Sequence, residues 1–394
     1  MLLMTINLFD DGAWQSLRPL SFTRPVADLR IGILTIAQKW EKHLNVRAGF
    51  VTAPYLAEKY PAIEDTELFV NGSVCPNEHL IESILSLNIG ESISQQGVLL
   101  AYKSGAGKSL NLERISVLPS QEYKGEFIRI VVPEDIFKFN DAELRNDFNL
   151  ITKGRVSAKL SSTNTFIGDD IFVEEGADAE CSTFNSKNGP IYLGRNSQVW
   201  EGCHIRGSFA LCHDSQVKMG AKIYGQTTIG PYSRVGGEIN NSVIWGYSSK
   251  GHEGYLGNSV MGQWCNIGAD SNNSNLKNNY AEVKLWDYST ERFRSTGLQF
   301  CGLIMADHAK CGINTMFNTG TVAGVSANIF GPGFPRNFIP DFAWGGAQGF
   351  DTYALHKMFE TAVKVFERRG MEFDSIEKAI LTRVFDDTST YRHF

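Results

Sequence analysis

The stretch LGRNSQVWEGCHIRGSFALCHDSQVKMGAKIYGQTTIGPYSRV, residues 193–235, has an aliphatic side chain at every sixth position. These positions are Leu193, Val199, Ile205, Leu211, Val217, Ile223, Ile229 and Val235. Because 42% of the chain is hydrophobic, eight such residues in succession would arise by chance only about once in a thousand trials. A period of six fits neither an α-helix nor an ordinary strand. It predicts a parallel β-helix in which three hexads close one coil.

The same spacing recurs on both sides of this stretch. It is carried before the stretch by Ile167 and Val173, and after it by Met261, Ile267, Met305, Cys311, Phe317, Ala323 and Ile329. In a β-helix these side chains point inward and stack on their equivalents, so that each coil contacts only its neighbours. The spacing therefore predicts a β-helix over residues 151–345.

The hexad register is interrupted near residues 181–190, 237–256 and 271–303. These interruptions predict loops that leave the coil, and loops on a rigid scaffold often carry binding and catalytic residues. The second interruption contains SSKGHEGYLG, residues 248–257, where His252 lies between two glycines and no apolar run buries it. We expect a functional loop there.

Residues 1–150 mix strand-like and helix-like patterns, which indicates an α/β domain. The predicted strands are MTINLF (4–9), GFVTA (49–53), TELFVNGSV (66–74) and EFIRIVV (126–132). Two amphipathic segments, Ile33–Leu44 and Asn77–Leu87, predict helices.

Residues 346–394 predict a helical tail. The first helix should follow a cap at Asp351 and end at Gly370, with Arg368 and Arg369 in its last turn. Its inward positions are Leu355, Met358, Phe359, Ala362 and Phe366. A second helix should follow Ser375, with Ile376, Ala379, Ile380 and Val384 inward. We expect this tail to cap the β-helix or to pack on a neighbouring subunit.

Composition and charge narrow the classes of function. The 394 residues carry a net charge of −6 at pH 7, and the absence of a Lys/Arg cluster argues against nucleic acid as a partner. No stretch reaches the ~18 apolar residues of a membrane span, and the start MLLMTINLFD lacks the basic region of a signal peptide. The seven cysteines are scattered without a CxxC pair. We therefore expect reduced thiols, no structural metal and a cytoplasmic protein without a membrane partner.

His252 has the side chain best suited to proton transfer near neutral pH. Acyl transfer from a thioester to an amine needs a base for the ammonium proton and a donor for the developing oxyanion. His252 could be the base, with Tyr255 and Asn266 as donors or as groups that orient the acceptor. A histidine on a surface loop without a catalytic role is the alternative.

SSKGHEGYLGNSVMGQWCNIGA, residues 248–269, resembles the acetyltransferase loop of the GlmU family of bifunctional N-acetylglucosamine-1-phosphate uridylyltransferases and glucosamine-1-phosphate N-acetyltransferases. Its Gly-His, Tyr-Leu-Gly and Asn-Ile-Gly-Ala elements match that loop, and the resemblance covers residues 160–335. It implies a left-handed β-helix, acetyl-CoA as co-substrate, and a homotrimer with sites between subunits. It also implies that His252 is the general base and that Tyr255 and Asn266 contact the sugar and the acetyl donor.

The chain departs from this family where the sugar phosphate is bound. IGPYSRVGGE, residues 229–238, has Gly236 where the family has a phosphate-binding arginine, and the family's lysine segment is missing. Phosphate binding would need replacement cations, and the candidates are Arg234, Lys250 and Lys284.

LRPLSFTRPVADL, residues 17–29, resembles the LRPLTxxxPKPLL segment of sugar-1-phosphate nucleotidyltransferases. The resemblance implies that Arg18, Thr23 and Arg24 bind the nucleotide, that Asp10 or Asp11 contributes, and that Mg²⁺ takes part if the chemistry survives. The chain has a single glycine, Gly12, where the family has a glycine-rich phosphate loop, and it has Ser73 where the family has a metal-binding aspartate. A divergent nucleotidyltransferase and a degenerate domain that only binds or assembles both remain open.

The sequence as a whole predicts a GlmU-like transferase of UDP-N-acetylglucosamine biosynthesis. The β-helix would transfer acetyl from acetyl-CoA to an amino-sugar 1-phosphate, and the amino-terminal domain would transfer a nucleotide to a sugar 1-phosphate. One alternative is a nucleotidyltransferase whose β-helix only trimerises. The other is a non-catalytic scaffold that binds sugar nucleotides.

Overall fold

The computed structural model describes residues 5–105 and 120–394. The described residues form two compact units. The first unit contains the described residues up to Val132, except Arg18–Phe22 and Arg30–Ile33. Those two segments belong to the second unit together with Pro133–Phe394.

The first unit is an α/β structure built on a mixed sheet. In the described residues this sheet has, in spatial order, the strands Arg47–Val51, Thr5–Phe9, Leu68–Asn71, Val98–Lys103, Ser92–Gln95 and Ser120–Glu122. The first three strands are parallel, and Val98–Lys103 pairs antiparallel with both of its neighbours. Short segments of helix or strand accompany the sheet at Ala13–Ser16, Val26–Asp28, Leu34–Thr35, Ile36–Leu44, Pro54–Leu56 and Glu78–Leu85.

Most predicted elements of this unit are present. Thr35 and Gln38 form a capping box that starts the helix Ile36–Leu44, and the Asn77 side chain caps Glu78–Leu85. The strand predicted at residues 126–132 was wrong. This segment makes only an isolated bridge at Arg129, because the neighbouring chain turns at residues 72–74 and offers no further ladder partners.

The second unit is a parallel β-solenoid, whose strands repeat on three faces between residues 165 and 352, all of them described. Sheet 1 contains Ile171–Val173, Ile191–Leu193, Phe209–Leu211, Thr227–Ile229, Val243–Ile244, Val260–Met261, Leu303–Met305, Thr321–Ala323 and Phe338–Ile339. Sheet 2 contains Asp178–Ala179, Gln198–Val199, Gln216–Val217, Arg234–Val235, Ser249–Lys250, Asn266–Ile267, Lys310–Cys311, Asn328–Ile329, Ala343–Gly346 and Gly349–Thr352. Sheet 3 contains Thr165–Ile167, Thr183–Asn185, His204–Arg206, Lys222–Tyr224, Glu238–Asn240 and Tyr255–Gly257, and a separate two-stranded sheet pairs Asn272–Asn273 with Met316–Phe317.

The predicted hexad residues from Val173 onward form the interior of the solenoid. The inward assignment of Ile167 was wrong, because Ile167 is in register with the outward Asn185, whereas Phe166 pairs with the buried Phe184. Every marker from Leu193 to Val235 is at most 2% exposed, and all of them belong to one continuous apolar cluster. Strand pairing stacks these residues directly, as in Leu193, Leu211 and Ile229 on sheet 1. The hexad prediction is therefore confirmed from Val173 onward.

The predicted interruptions have different structures. Most of residues 271–303 do leave the coil: the chain departs after the paired strand Asn272–Asn273, forms an antiparallel hairpin of Lys284–Asp287 and Arg292–Ser295, and returns at Leu303–Met305. The prediction that residues 237–256 leave the coil was wrong, because this segment supplies paired strands on all three sheets. The register breaks there because the step from Ile229 to its partner Ile244 is three residues shorter than the preceding step.

The remaining elements of the second unit are mostly helical. They comprise the short strand Arg30–Ile31, the helices Asp135–Lys138, Asn140–Thr152, Leu355–Glu367 and Ser375–Asp387, and the 3₁₀ turn Ser389–Tyr391. Asp351 is not a helix cap, because it belongs to the strand Gly349–Thr352, which pairs antiparallel with Ala343–Gly346. Among the helices of the described residues, none combines the length and apolar character that crossing a bilayer requires.

One corner of the solenoid is lined by stacked rings. Tyr232, Tyr247, Trp264 and His308 occupy equivalent turns and have left-handed backbone angles. The Tyr232 and Tyr247 ring centroids are 4.9 Å apart, and those of Tyr247 and Trp264 are 4.2 Å apart. The Phe366 ring of helix Leu355–Glu367 stacks on Trp264 at 4.0 Å. We call Leu355–Glu367 the docking helix, because Phe366 fixes it to this corner.

We expect Phe366→Ala to destabilise the second unit by about 3–5 kcal/mol, as is usual when a buried aromatic side chain is truncated. Phe366 is 2% exposed, so the loss should appear as a lower midpoint of urea unfolding. Met371→Ala is the control, because Met371 is 39% exposed and its truncation should change the midpoint little. Equal midpoints for the two variants would contradict the docking role of Phe366.

Candidate active site

His252 lies on a short turn between the strands Ser249–Lys250 of sheet 2 and Tyr255–Gly257 of sheet 3. The side chain is exposed, and within residues 120–394 no side-chain hydrogen bond engages the imidazole. Gly254 has φ +118°, a backbone angle that L-residues rarely adopt, and it closes the turn. The coil therefore presents the imidazole at a corner, with both ring nitrogens accessible.

Lys250 holds this turn from inside the solenoid. It occupies an inward position, between Val235 and the coil of Ile267, and it is 2% exposed. Its Nζ donates to the Gly236 carbonyl at 2.9 Å and to the His252 carbonyl at 3.0 Å. Burial lowers the pKa of Lys250 to about 8. The predicted substrate-binding role does not fit this position, because the ammonium group faces the core and binds backbone carbonyls.

Gly236 and Gly237 let the His252 turn lie directly on the preceding coil. A Cβ added at Gly236 would lie 2.7 Å from the Gly251 carbonyl oxygen, and one at Gly237 would lie 2.8 Å from the His252 carbonyl oxygen. An arginine at position 236 would therefore displace the turn. This packing explains the sequence departure, and it means that any bound phosphate needs cations from elsewhere.

Tyr255 and Asn266 lie on the two faces that meet at the His252 corner. Tyr255 is half-buried on sheet 3, and its hydroxyl accepts a hydrogen bond of 2.9 Å from the Asn275 amide. Asn266 is exposed on sheet 2, where it pairs in register with Ser249 and Lys310. Tyr255 and Lys250 line one small cavity, whereas Asn266 and Arg234 line another.

A cavity of about 440 Å³ lies between sheet 2 and the end of the docking helix. We call it the cationic pocket, and its lining residues are Arg234, Tyr247, Ser249, Trp264, Cys265, Asn266, Lys310, Val365, Arg368 and Arg369. Arg234 and Asn266 are binding residues predicted from the sequence, whereas Lys310, Arg368 and Arg369 were not predicted. The sequence pattern could have identified Lys310 as a residue of this face. Lys310 directly precedes the inward Cys311, just as Arg234 directly precedes the inward Val235. Nothing in the hexad pattern connects the tail arginines to this face.

Lys284 is an exposed residue at the start of the strand Lys284–Asp287, in the hairpin of the 271–303 excursion. The cavity lining does not include it. Its proposed phosphate-binding role therefore stays a prediction without structural support.

In the first unit, the carboxylate of Asp11 is engaged by protein groups. Arg129 forms an ion pair with it, the Asn71 amide donates to it at 2.8 Å, and the Ala13 N–H donates to it at 2.9 Å. Arg129 also donates to the Ser73 hydroxyl at 3.0 Å. This network occupies the end of strand Thr5–Phe9, where the nucleotidyltransferase resemblance implied a phosphate loop.

The other proposed nucleotide-binding residues are also part of the protein's own packing. Arg24 is buried and donates to Asp28 at 2.9 Å, and Thr23 is buried beside it in the chain. Arg18 belongs to the second unit, where its guanidinium lies 5.0 Å from the centre of the Phe22 ring. Their nucleotide-binding roles stay predictions.

The residues around Asp11 do not fit a Mg²⁺ site. A group of three or more His, Cys, Asp or Glu side chains that could hold a metal does not occur among the described residues. Asp11 is already neutralised by Arg129, and burial raises the pKa of Asp10 to about 7, which favours its protonated form. We therefore derive no metal-dependent step for this unit.

We expect Lys250→Met to loosen the His252 turn while the solenoid stays folded. The methionine fills the inward position but cannot donate to the Gly236 and His252 carbonyls. The Glu238 and Asp270 amides donate to the Gly254 and Glu253 carbonyls of this turn. Their hydrogen exchange should accelerate at least about tenfold, since roughly 1.4 kcal/mol of local stability corresponds to that factor. Lys310→Met is the matched control, because Lys310 binds the carbonyls of Trp264 and His308 instead. Equal exchange of these two amides in both variants would show that Lys250 does not hold the turn.

We expect Asp10 to make stability fall between pH 4 and pH 7. Its pKa is about 7 in the folded chain, against 3.8 for an aspartate free of the fold, so the unfolded chain ionises first and is favoured as pH rises. Asp10→Asn should remove this dependence, which we expect to be on the order of 2 kcal/mol. Thermal melts from pH 4 to pH 7 measure it, with the exposed Asp65→Asn as control. Parallel pH profiles for wild type and Asp10→Asn would exclude the effect.

Comparisons with known proteins bear on both units. The model of the sugar nucleotidyl transferase family matches residues 6–156. The bifunctional protein GlmU of Synechococcus elongatus is 22% identical over 258 residues, which are 63% of this chain and 52% of the relative. The chain thus spans about half the length of the curated relatives it matches.

Solved structures also align with the chain. The UDP-N-acetylglucosamine acyltransferase of Francisella novicida covers 59% of this chain and 78% of its own, with 10% identity and a TM-score of 0.33. AntD, an N-acyltransferase from Bacillus cereus solved with dTDP and 3-hydroxybutyryl-CoA, covers 52% and 91%, with 12% identity and a TM-score of 0.22. The family match and the curated relatives support a GlmU-like family for this chain, with a nucleotidyltransferase-like α/β region before a hexapeptide β-solenoid.

Proposed function

We propose that the solenoid unit transfers an acetyl group from acetyl-CoA to the amine of an amino-sugar 1-phosphate, with His252 as general base. The observation that carries this proposal is the exposed imidazole of His252 on a turn held by Lys250. The turn begins directly after Ser249–Lys250, and Ser249 lines a cavity together with Asn266. The similarity to GlmU proteins gives independent support.

The chain distances are compatible with this role. His252 follows Ser249, which lines the cationic pocket, by three residues, so their Cα atoms are at most about 11 Å apart. A sugar phosphate bound partly in the pocket could therefore reach the imidazole with its amine.

The reaction requires one base and one site for negative charge. The amine attacks the thioester carbonyl, and His252 accepts the proton that the new ammonium loses. The carbonyl oxygen then carries negative charge, which the Asn266 amide or the Tyr255 hydroxyl could stabilise. When the tetrahedral intermediate collapses, the C–S bond breaks, and the imidazolium returns the proton to the leaving CoA thiolate. The products are the N-acetyl sugar phosphate and CoA.

We also propose that the site is completed in a homotrimer. Tyr255 and Asn266 lie on different faces of the solenoid that meet at the His252 corner. A single chain therefore presents these residues along an exposed edge, and it does not enclose them in a cleft. A neighbouring copy would supply the missing wall and exclude water from the reacting groups.

For the first unit, a binding or assembly role is a better candidate function than nucleotidyl transfer. The Asp11–Arg129 ion pair supports it, since this network fills the position expected for the nucleotide phosphates. Sugar-nucleotide binding without turnover is the expected behaviour of this unit.

We expect His252→Ala to reduce acetyl transfer by about 10²–10⁴-fold, the usual contribution of a general base. CoA release from acetyl-CoA, measured with a panel of amino-sugar 1-phosphates, tests this. His204→Ala is the control, because His204 is also exposed on a solenoid strand but lies three coils from the His252 turn. Wild-type release with any acceptor and selective loss in His252→Ala would support the proposal, whereas no release by wild type would contradict it.

A further inference from the structure

The cationic pocket collects four positive side chains without acidic partners. Arg234, Arg368 and Arg369 take part in no ion pair with a carboxylate among the described residues, and neither does Lys310. Lys310 donates instead to the carbonyls of His308 at 2.9 Å and Trp264 at 3.4 Å. The pocket therefore holds positive charge that the protein itself does not compensate.

The charges in this pocket affect one another. Burial, together with the nearby Arg234 and Arg368, lowers the pKa of Arg369. Burial also lowers the pKa of Lys310 to about 8. The lowered pKa values of Arg369 and Lys310 mean that the fold disfavours their charged forms when the pocket holds no anion. A bound anion would relieve this cost.

The geometry suits an extended anionic ligand. Arg234, Ser249, Asn266 and Lys310 occupy equivalent outward positions on four successive strands of sheet 2. With strands about 4.8 Å apart, this row is roughly 14 Å long. The hydroxyl of Ser249 and the amide of Asn266 lie between the two cations, and both are suitable hydrogen-bond donors to phosphate oxygens. The ring of Trp264 forms an apolar wall beside them.

The docking helix positions the two arginines that follow it, Arg368 and Arg369, beside the row of polar residues on sheet 2. Phe366 stacks on Trp264 at 4.0 Å, and Arg368 and Arg369 follow it by two and three residues. Because Gly236 must stay small for the His252 turn to pack, the solenoid cannot supply an arginine at that position. The tail thus provides positive charge where the coil cannot.

We propose that the cationic pocket binds the phosphate of the ligand, with the guanidinium groups of Arg368 and Arg369, which directly follow the docking helix, and the cations of sheet 2 acting together. The identity of the ligand rests on the function proposed above. The shared chemistry is a phosphate ester with at least two negative charges, which either the acceptor sugar phosphate or CoA could supply. The carboxyl-terminal helix is then part of the binding site and not only a cap.

The test measures binding separately from catalysis. Isothermal titration calorimetry with inorganic phosphate, glucosamine 1-phosphate and CoA compares wild type with the double variant Arg368→Gln/Arg369→Gln. We expect at least one of these probes to bind wild type and to bind the variant at least about tenfold more weakly, as loss of a charged hydrogen bond commonly costs that much. Lys364→Gln is the matched control, since it removes a positive charge from the same helix outside the pocket. Its affinity should equal that of wild type.

The probes distinguish the source of the phosphate. Loss of glucosamine 1-phosphate binding in the double variant assigns the pocket to the acceptor, loss of CoA binding assigns it to the donor, and either result supports the proposal. Unchanged affinity in the folded double variant, or no binding of any probe to wild type at millimolar concentration, overturns it. Wild-type protein that binds the probes but releases no CoA with any acceptor would contradict the proposed reaction and leave the pocket assignment standing.

Discussion

Each coil of the solenoid places one side chain from each face in a shared apolar column, where that side chain loses its contact with water. Aliphatic residues occupy nearly every such position, as Leu193, Leu211 and Ile229 do. The Lys250 side chain, which ends in an ammonium group, lies in the same column. Its burial is tolerated because the ammonium group donates hydrogen bonds to two backbone carbonyls. One of these carbonyls belongs to His252. The column therefore fixes the position of the candidate base through a buried polar contact.

A second consequence of the coil geometry is the position of the tail. The shortened coil keeps Tyr247 in line with Tyr232 and Trp264, so the stacked rings continue past the irregular step. Phe366 extends this stack from the docking helix. The apolar contact of one ring thus determines where the two arginines of the tail lie, and it places them over the strands that carry Arg234 and Asn266.

The sequence predicted the solenoid well because its core repeats with a fixed period, and each hexad is a separate test of the same structure. It also identified His252, Tyr255 and Asn266 as one segment. The prediction that residues 237–256 leave the coil was wrong, because a coil shortened by three residues interrupts the hexad register in the same way as a loop does. It misassigned Lys250, because an inward lysine is recognisable only once its strand neighbours are known. The arginines of the docking helix could not be assigned to the pocket, since a stacking contact between residues about 100 positions apart leaves no periodic signal.

The central claim is that the His252 corner and the cationic pocket form one site, with the acceptor amine at His252 and a phosphate of the acceptor or of CoA in the pocket. A crystal structure of the protein with glucosamine 1-phosphate and CoA tests it most directly. The account predicts phosphate oxygens about 2.7–3.2 Å from guanidinium or ammonium groups of the pocket, and the sugar amine within hydrogen-bond reach of the His252 imidazole. A complex in which neither ligand places a phosphate in the pocket, or in which the sugar amine lies beyond the reach of His252, would contradict it.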